Sequence, residues 1–176
     1  MSNLNFPLQQ IETWDMELCV FCNRQSRNLT VRNLFRLVSR LGDGVFWYVL
    51  MFVLLLQYQS SAIPAVFHMI VVGLLGTALY KFIKGKTLRP RPFNVYPAIV
   101  CAGKTLDQFS FPSGHTMHAV AFSVVAASYF PALLWLVAPF ALLVALSRPI
   151  LGLHYPSDVL AGAALGAVIA FTSLVL

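Results

Sequence analysis

Long apolar runs broken by short polar punctuation occupy most of the chain beyond residue 44. Residues 62–80 match the roughly 20 residues that a helix needs to cross a bilayer. Residues 115–130, 132 to 146 or 153, and 157–176 read as three further spans, with Pro131 and Tyr155-Pro156 at the breaks. Residues 45–58 are equally apolar but short, so this span either starts earlier, with Arg40 snorkelling to the interface, or runs thin. Before it, Val31, Leu34, Phe35, Val38 and Leu41 follow the helical period while Arg32, Arg36 and Arg40 occupy another face. That pattern predicts a basic amphipathic helix in the headgroup region, ended by Gly42-Asp43-Gly44. Residues 13–21 also have helical spacing, with Trp14, Leu18 and Phe21 on one face. They are too few to span, and predict a helix at the interface or packed on the bundle. The expected fold is all-α: a multi-pass transmembrane helical bundle of five or six spans, forming one domain over residues 1–176 with residues 1–44 interfacial.

Composition sharpens this picture. Hydrophobic residues make up 59% of the chain and charged ones 10%, against roughly 45–50% and about 25% in soluble proteins. Too few charges remain to cover a soluble surface. The first forty residues lack the basic start, compact apolar run and small-residue site of a cleavable signal peptide. The net charge of +6 sits beside apolar segments, which points to anionic headgroups or a phosphate ligand and away from nucleic acid. Cys19 and Cys22 form a lone C-x-x-C with no second pair, so they read as small apolar residues one helical turn apart. His68, inside the 62–80 run, is expected to be neutral and bonded to a neighbouring helix. Gly162 and Gly166, among alanines, predict a face for close helix packing.

The chemistry gathers in three patches: Lys84 to Arg91-Pro92, Pro112-Ser113-Gly114-His115, and Ser147-Arg148 with His154 and Asp158. Counting helix directions brings all three to one surface. The span ending at Tyr80 delivers the first patch, the helix from His115 leaves that side, and the next returns to deposit Arg148 and His154. Arginine's planar fork suits phosphate oxygens, and a loop-to-helix start at Ser113-Gly114 offers free N–H groups to an anion. Asp158, four residues after His154, is placed to accept a hydrogen bond from one ring nitrogen and leave the other free as base or nucleophile. Lys86 and Arg89 read as interfacial anchors, and His118 either lines the site or packs. A metal site on His115, His118 and His154 is the chemical rival, but no H-E-x-x-H signature accompanies them.

In order and spacing, these residues resemble the three-part signature of the type 2 phosphatidic acid phosphatase superfamily. Six residues separate Lys84 from Arg91-Pro92, Pro112-Ser113-Gly114-His115 follows, and Ser147-Arg148 leads after five residues to His154 and after three more to Asp158. The resemblance covers residues 80–160. It implies a metal-independent lipid phosphatase without a cofactor, in which His154 is the nucleophile, Asp158 orients it and His115 protonates the leaving group. It further implies that Lys84, Arg91 and Arg148 hold the phosphoryl oxygens while Ser113 and the Gly114 backbone add hydrogen bonds. Substrates of the implied class are undecaprenyl diphosphate, phosphatidylglycerophosphate, phosphatidic acid or lipid A, presented from the bilayer. A soluble vanadium haloperoxidase has the same anion site, and the apolar composition argues against it. A non-catalytic carrier of phosphorylated lipids is the rival from another class, opposed by the intact His154, Asp158 and His115. The resemblance implies a multi-pass protein of the cell (inner) membrane with its site on the extracytoplasmic face. Arg24, Arg27, Arg32, Arg36 and Arg40, which fall on the same side, would by the positive-inside rule put it in the cytoplasm.

Overall fold

A computed structural model describes residues 5–105 and 107–175, with side chains from Glu12 onward. The ends of the expected 1–176 unit lie outside the described residues. Eight α-helices follow one another among the described residues: α1 (Asn5–Arg24), α2 (Leu29–Arg40), α3 (Phe46–Tyr58), α4 (Ile63–Thr87), α5 (Pro92–Val95), α6 (Gly114–Tyr129), α7 (Leu134–Ile150) and α8 (Pro156–Val175). Among the described residues no strand forms, and the β-type pairing is one isolated bridge between Pro90 and Phe109. Three helical stretches among the described residues are long and apolar enough to cross a membrane: Leu29–Thr87 (α2 to α4 taken together), Pro131–Ile150 and Pro156–Val175. Large apolar side chains such as Trp135, Phe52 and Leu74 stand on the outer surface at 86%, 62% and 67% exposure, where only lipid would cover them without cost.

Local signals explain the boundaries. Asn28 caps α2 by accepting from the N–H groups of Thr30 (2.9 Å) and Val31 (3.3 Å). Pro64 opens α4 and Pro156 opens α8, positions where a missing N–H costs nothing. α4 runs on to Thr87 and stops at Leu88, whose φ is 48°. Lys84 therefore stands on the last turn of a helix and not in the loop where the apolar pattern had put it.

α6 is the centre of the bundle, packed on α4, α7 and α8. It is the shortest of these and the most buried, with Met117, Val125 and Ala126 fully enclosed. Its approach to α8 is set by Gly162 and Gly166, where any Cβ would strike the carbonyl oxygens of Ser113 and Met117 respectively. The small-residue face expected for helix packing is thus directed at the start of α6. His68 bonds the Tyr129 hydroxyl (3.2 Å) and Ser173 Oγ (2.8 Å), the interhelical role expected of it.

The N-terminal helices are packed on the bundle, α1 against α7 and α8 and α2 against α7. Asn23 ties α1 down by donating to Val100 O and Ile150 O (both 3.0 Å). The three cysteines are unpaired: Cys19 is buried, Cys22 half-buried, and Cys101, on the loop between α5 and α6, exposed.

Candidate active site

The three patches converge on one cavity of about 300 Å³, lined by Lys84, Arg91, Gly114, His115, Arg148 and His154. Four separate stretches supply them. Lys84 comes from the end of α4, Arg91 from just before α5, Gly114 and His115 from the start of α6, and Arg148 and His154 from the end of α7 and the turn after it. The single-surface geometry inferred from helix directions is the geometry found.

Lys84, Arg91 and Arg148 are 6%, 2% and 1% exposed, so three cations are held nearly free of water. Asp107 makes the first two affordable: Lys84 Nζ lies 2.6 Å from its Oδ2, and Arg91 Nη2 lies 2.8 Å from its Oδ1. Burial alone would raise the Asp107 carboxyl, but the Lys84 hydrogen bond and charge, with Arg91, hold it below the usual carboxylate range. Arg91 Nη1 also donates to Leu153 O at 2.7 Å. Arg148 Nη1 donates to Ser39 Oγ at 2.5 Å, while its Nε is buried without a hydrogen-bond partner among the described residues. Arg148 also lines the cavity, and a buried guanidinium with donor capacity left over suits an anion.

His154 is 1% exposed. Its Nε2 lies 3.4 Å from Arg91 Nη1, and its Nδ1 lies 3.6 Å from Asp158 Oδ2. That second distance corrects the expected hydrogen bond: Nδ1 faces the carboxylate at a distance too long for one, and the Ser110 backbone is the other polar group against the ring. Asp158 is occupied elsewhere. Oδ1 accepts from Arg89 Nη1 (2.6 Å) and Oδ2 from the Tyr155 N–H (2.9 Å). Burial first, then the charges of Arg148, Arg91 and Lys84, pushes His154 well below the ordinary histidine value. It is therefore a neutral imidazole, the form that has a lone pair to use.

Gly114 and His115 open α6 with their backbone N–H groups at its positive end. Ser113 precedes them as N-cap, fully buried, with its hydroxyl on Thr116 Oγ1 (3.0 Å) and its N–H on Asp158 O (3.0 Å). The cavity wall is formed by Gly114, and the Ser113 side chain is turned away from it. His115 Nε2 sits 3.3 Å from Asp43 Oδ1. His118 bonds Gly114 O (2.8 Å) and Thr77 Oγ1 (3.1 Å), bracing α6 against α4 at the cavity's edge.

Arg89 is not an interfacial anchor. It bridges Asp158 and Asp15 (Nη2 to Oδ2, 2.7 Å) and stacks its guanidinium 4.1 Å over the Tyr155 ring. Its charge is locked on: burial opposes it, but the two carboxylates outweigh burial. Asp15 also accepts from the Ser157 N–H (2.9 Å) and hydroxyl, so α1 reaches the start of α8. Asp15, Asp43 and Asp107 were invisible as site neighbours in sequence. Each meets its partner across different elements, and the one available signal was their scarcity, in a chain with six acids.

Buried cations, a neutral histidine and a helix start meet at one cavity inside an α-helical membrane bundle, an arrangement chemically suited to a phosphoryl group. The chain belongs to the PAP2 superfamily, which matches residues 61–176. It is 30% identical over 149 residues to the undecaprenyl-diphosphatase of Sulfolobus acidocaldarius, across 82% of this chain and 70% of that protein. Over 94 residues it is 42% identical to the decaprenylphosphoryl-5-phosphoribose phosphatase of Mycobacterium tuberculosis, covering 52% of this chain and 50% of that one. The fold is that of the transmembrane PAP2-type phosphatidylglycerolphosphate phosphatase of Bacillus subtilis, with TM-score 0.77 and 24% identity over 94% of this chain and 85% of the other.

Proposed function

We propose that this chain is a metal-independent lipid phosphatase that cleaves a phosphomonoester or pyrophosphate headgroup through a phosphohistidine on His154. The observation that carries this reading is the neutral, buried His154, with its Nε2 beside Arg91 and with Lys84 and Arg148 around the same cavity. Nε2 attacks phosphorus as the bond to the lipid oxygen breaks, and His115 gives that oxygen its proton. Water then attacks phosphorus, the P–N bond breaks, and the water proton returns to His115. Lys84, Arg91, Arg148 and the first N–H groups at Gly114 stabilise charge on the phosphoryl oxygens. Asp158 keeps Nδ1 facing it, and Ser113 acts through its place as the cap of α6.

Trp47 and Met51 of α3 with Ile70 and Leu74 of α4 form an apolar wall of the same cavity. A lipid entering between these helices would keep its tails in the bilayer while its phosphate reaches His154. The substrate class is a polyprenyl or glycerolipid phosphate or diphosphate, consistent with what the named relatives act on. The chain works as one integral-membrane domain of the cell membrane, with the site on the extracytoplasmic face.

Phosphate release from a lipid panel in detergent with chelator present tests this reading. The panel would hold a polyprenyl diphosphate, phosphatidylglycerophosphate, phosphatidic acid and lipid A. His154→Ala is expected to lose at least about 10³-fold and His115→Ala about 10²–10³-fold, in the range of lost acid–base catalysis, with unchanged gel-filtration profiles. Activity persisting in His154→Ala rules out the nucleophile, and strict metal dependence rules out the mechanism. Lipid binding without any turnover would favour a carrier.

A further inference from the structure

The chain has six acids, and five are accounted for. Glu12 and Glu17 are exposed on α1. Asp15 and Asp158 pair with Arg89, and Asp107 pairs with Lys84 and Arg91. That leaves Asp43, whose Oδ1 lies 3.3 Å from His115 Nε2 and which lines the cavity. Its place is set by the glycines on either side. A Cβ on Gly42 would fall 2.7 Å from Val144, and Gly44 has φ 128°, a conformation that side chains rarely adopt. The α2–α3 junction is built to hold one carboxylate over the cavity.

The geometry points to Asp43 as a positioning residue for His115, an inference that rests on His115 being the proton donor to the leaving oxygen. His115 faces Arg148 from α7, Lys84 from α4, His154 from the following turn and His118 from its own helix. A protonated imidazole among those groups needs a counter-charge, and the other nearby carboxylates are engaged by cations. Asp43 supplies it from beside Nε2 and fixes the orientation of the ring from which the proton is given. When His115 gives up that proton, the P–O bond has broken and the oxygen leaves as an alcohol. Water restores the proton during the second step. Asp43 stays a carboxylate throughout.

A donor matters most when the leaving group is a poor one. With the full chain in detergent, turnover of p-nitrophenyl phosphate, whose phenolate leaves unaided, is compared with that of dioctanoyl phosphatidic acid, whose alkoxide does not. Asp43→Asn is expected to lower the alkyl rate about 10-fold or more and the aryl rate less than about 3-fold, with Asp43→Glu restoring part of the alkyl rate. Adding Asp43→Asn to His115→Ala should cost nothing further. Equal losses on both substrates, or a further alkyl loss in the double variant, would mean that Asp43 acts structurally and would overturn the inference alone. If His115→Ala itself fails to separate the two substrates, the donor assignment falls and this inference falls with it.

Discussion

His154 has given up water, and its proton affinity with it. Burial and three cations keep it neutral in the folded chain, whereas in an unfolded chain it would titrate near 6.5. Below that value the unfolded state binds a proton that the native state refuses, so acid favours unfolding, and stability rises with pH up to about 6.5. The melting temperature in detergent is therefore expected to fall between pH 6.5 and pH 5, and to fall less steeply in His154→Gln. Equal slopes in the two proteins would mean that His154 is not held neutral by its surroundings. The identity of such residues was legible in the sequence because their spacing within each patch is rigid. Their carboxylate partners were not. Asp107 reaches Lys84 from 23 positions away and Asp43 reaches His115 from the α2–α3 junction, and no local period records a meeting of that kind.

Helices were easier to read than their ends. Apolar runs located the start of α4 and both ends of α6, α7 and α8 to within a few residues, since lipid-facing and interior surfaces of a bundle both demand apolar character. The pattern missed the last turns of α4, where the helix leaves the apolar layer and continues through Lys81, Lys84 and Lys86 to Thr87. The α6–α8 contact shows what one element demands of another. A methyl group at Gly162 would push against Ser113 O, and so against the N-terminus of α6 that lines the cavity. Gly162→Ala is expected to cost about 1–3 kcal/mol, the usual range for overpacking, and to reduce turnover further than that instability accounts for. Gly85, with no atom within 4 Å of its would-be Cβ, provides the contrast. Gly85→Ala should retain activity and gain up to about 1 kcal/mol from helix propensity. Thermal melts and turnover on the same preparations check both, and a harmless Gly162→Ala would contradict the packing account.

Across the whole molecule, charge and packing give different weight to the same arginines. By count, Arg24, Arg27, Arg32, Arg36 and Arg40 would draw their side of the protein into the cytoplasm. Arg36, however, donates to Ala102 O at 2.5 Å, and α2, which carries three of the five, is packed on α7. A charge built into a helical layer differs from one on a free loop, the case for which the rule was framed. Sidedness can be read from a residue that does no chemistry. Cys101 is exposed on the loop whose next residue, Ala102, hydrogen-bonds Leu151 just ahead of His154. Burial pushes the Cys19 thiol up to about 12 and raises Cys22 as well, so both are poor thiolates near neutral pH. A membrane-impermeant maleimide applied to intact cells should therefore mark the wild-type chain when the catalytic end faces outward, and should leave Cys101→Ser unmarked. Labelling confined to inverted vesicles would place that end in the cytoplasm. An unpaired thiol at the rim makes the protein its own compass, with no engineered tag needed to find which way it points.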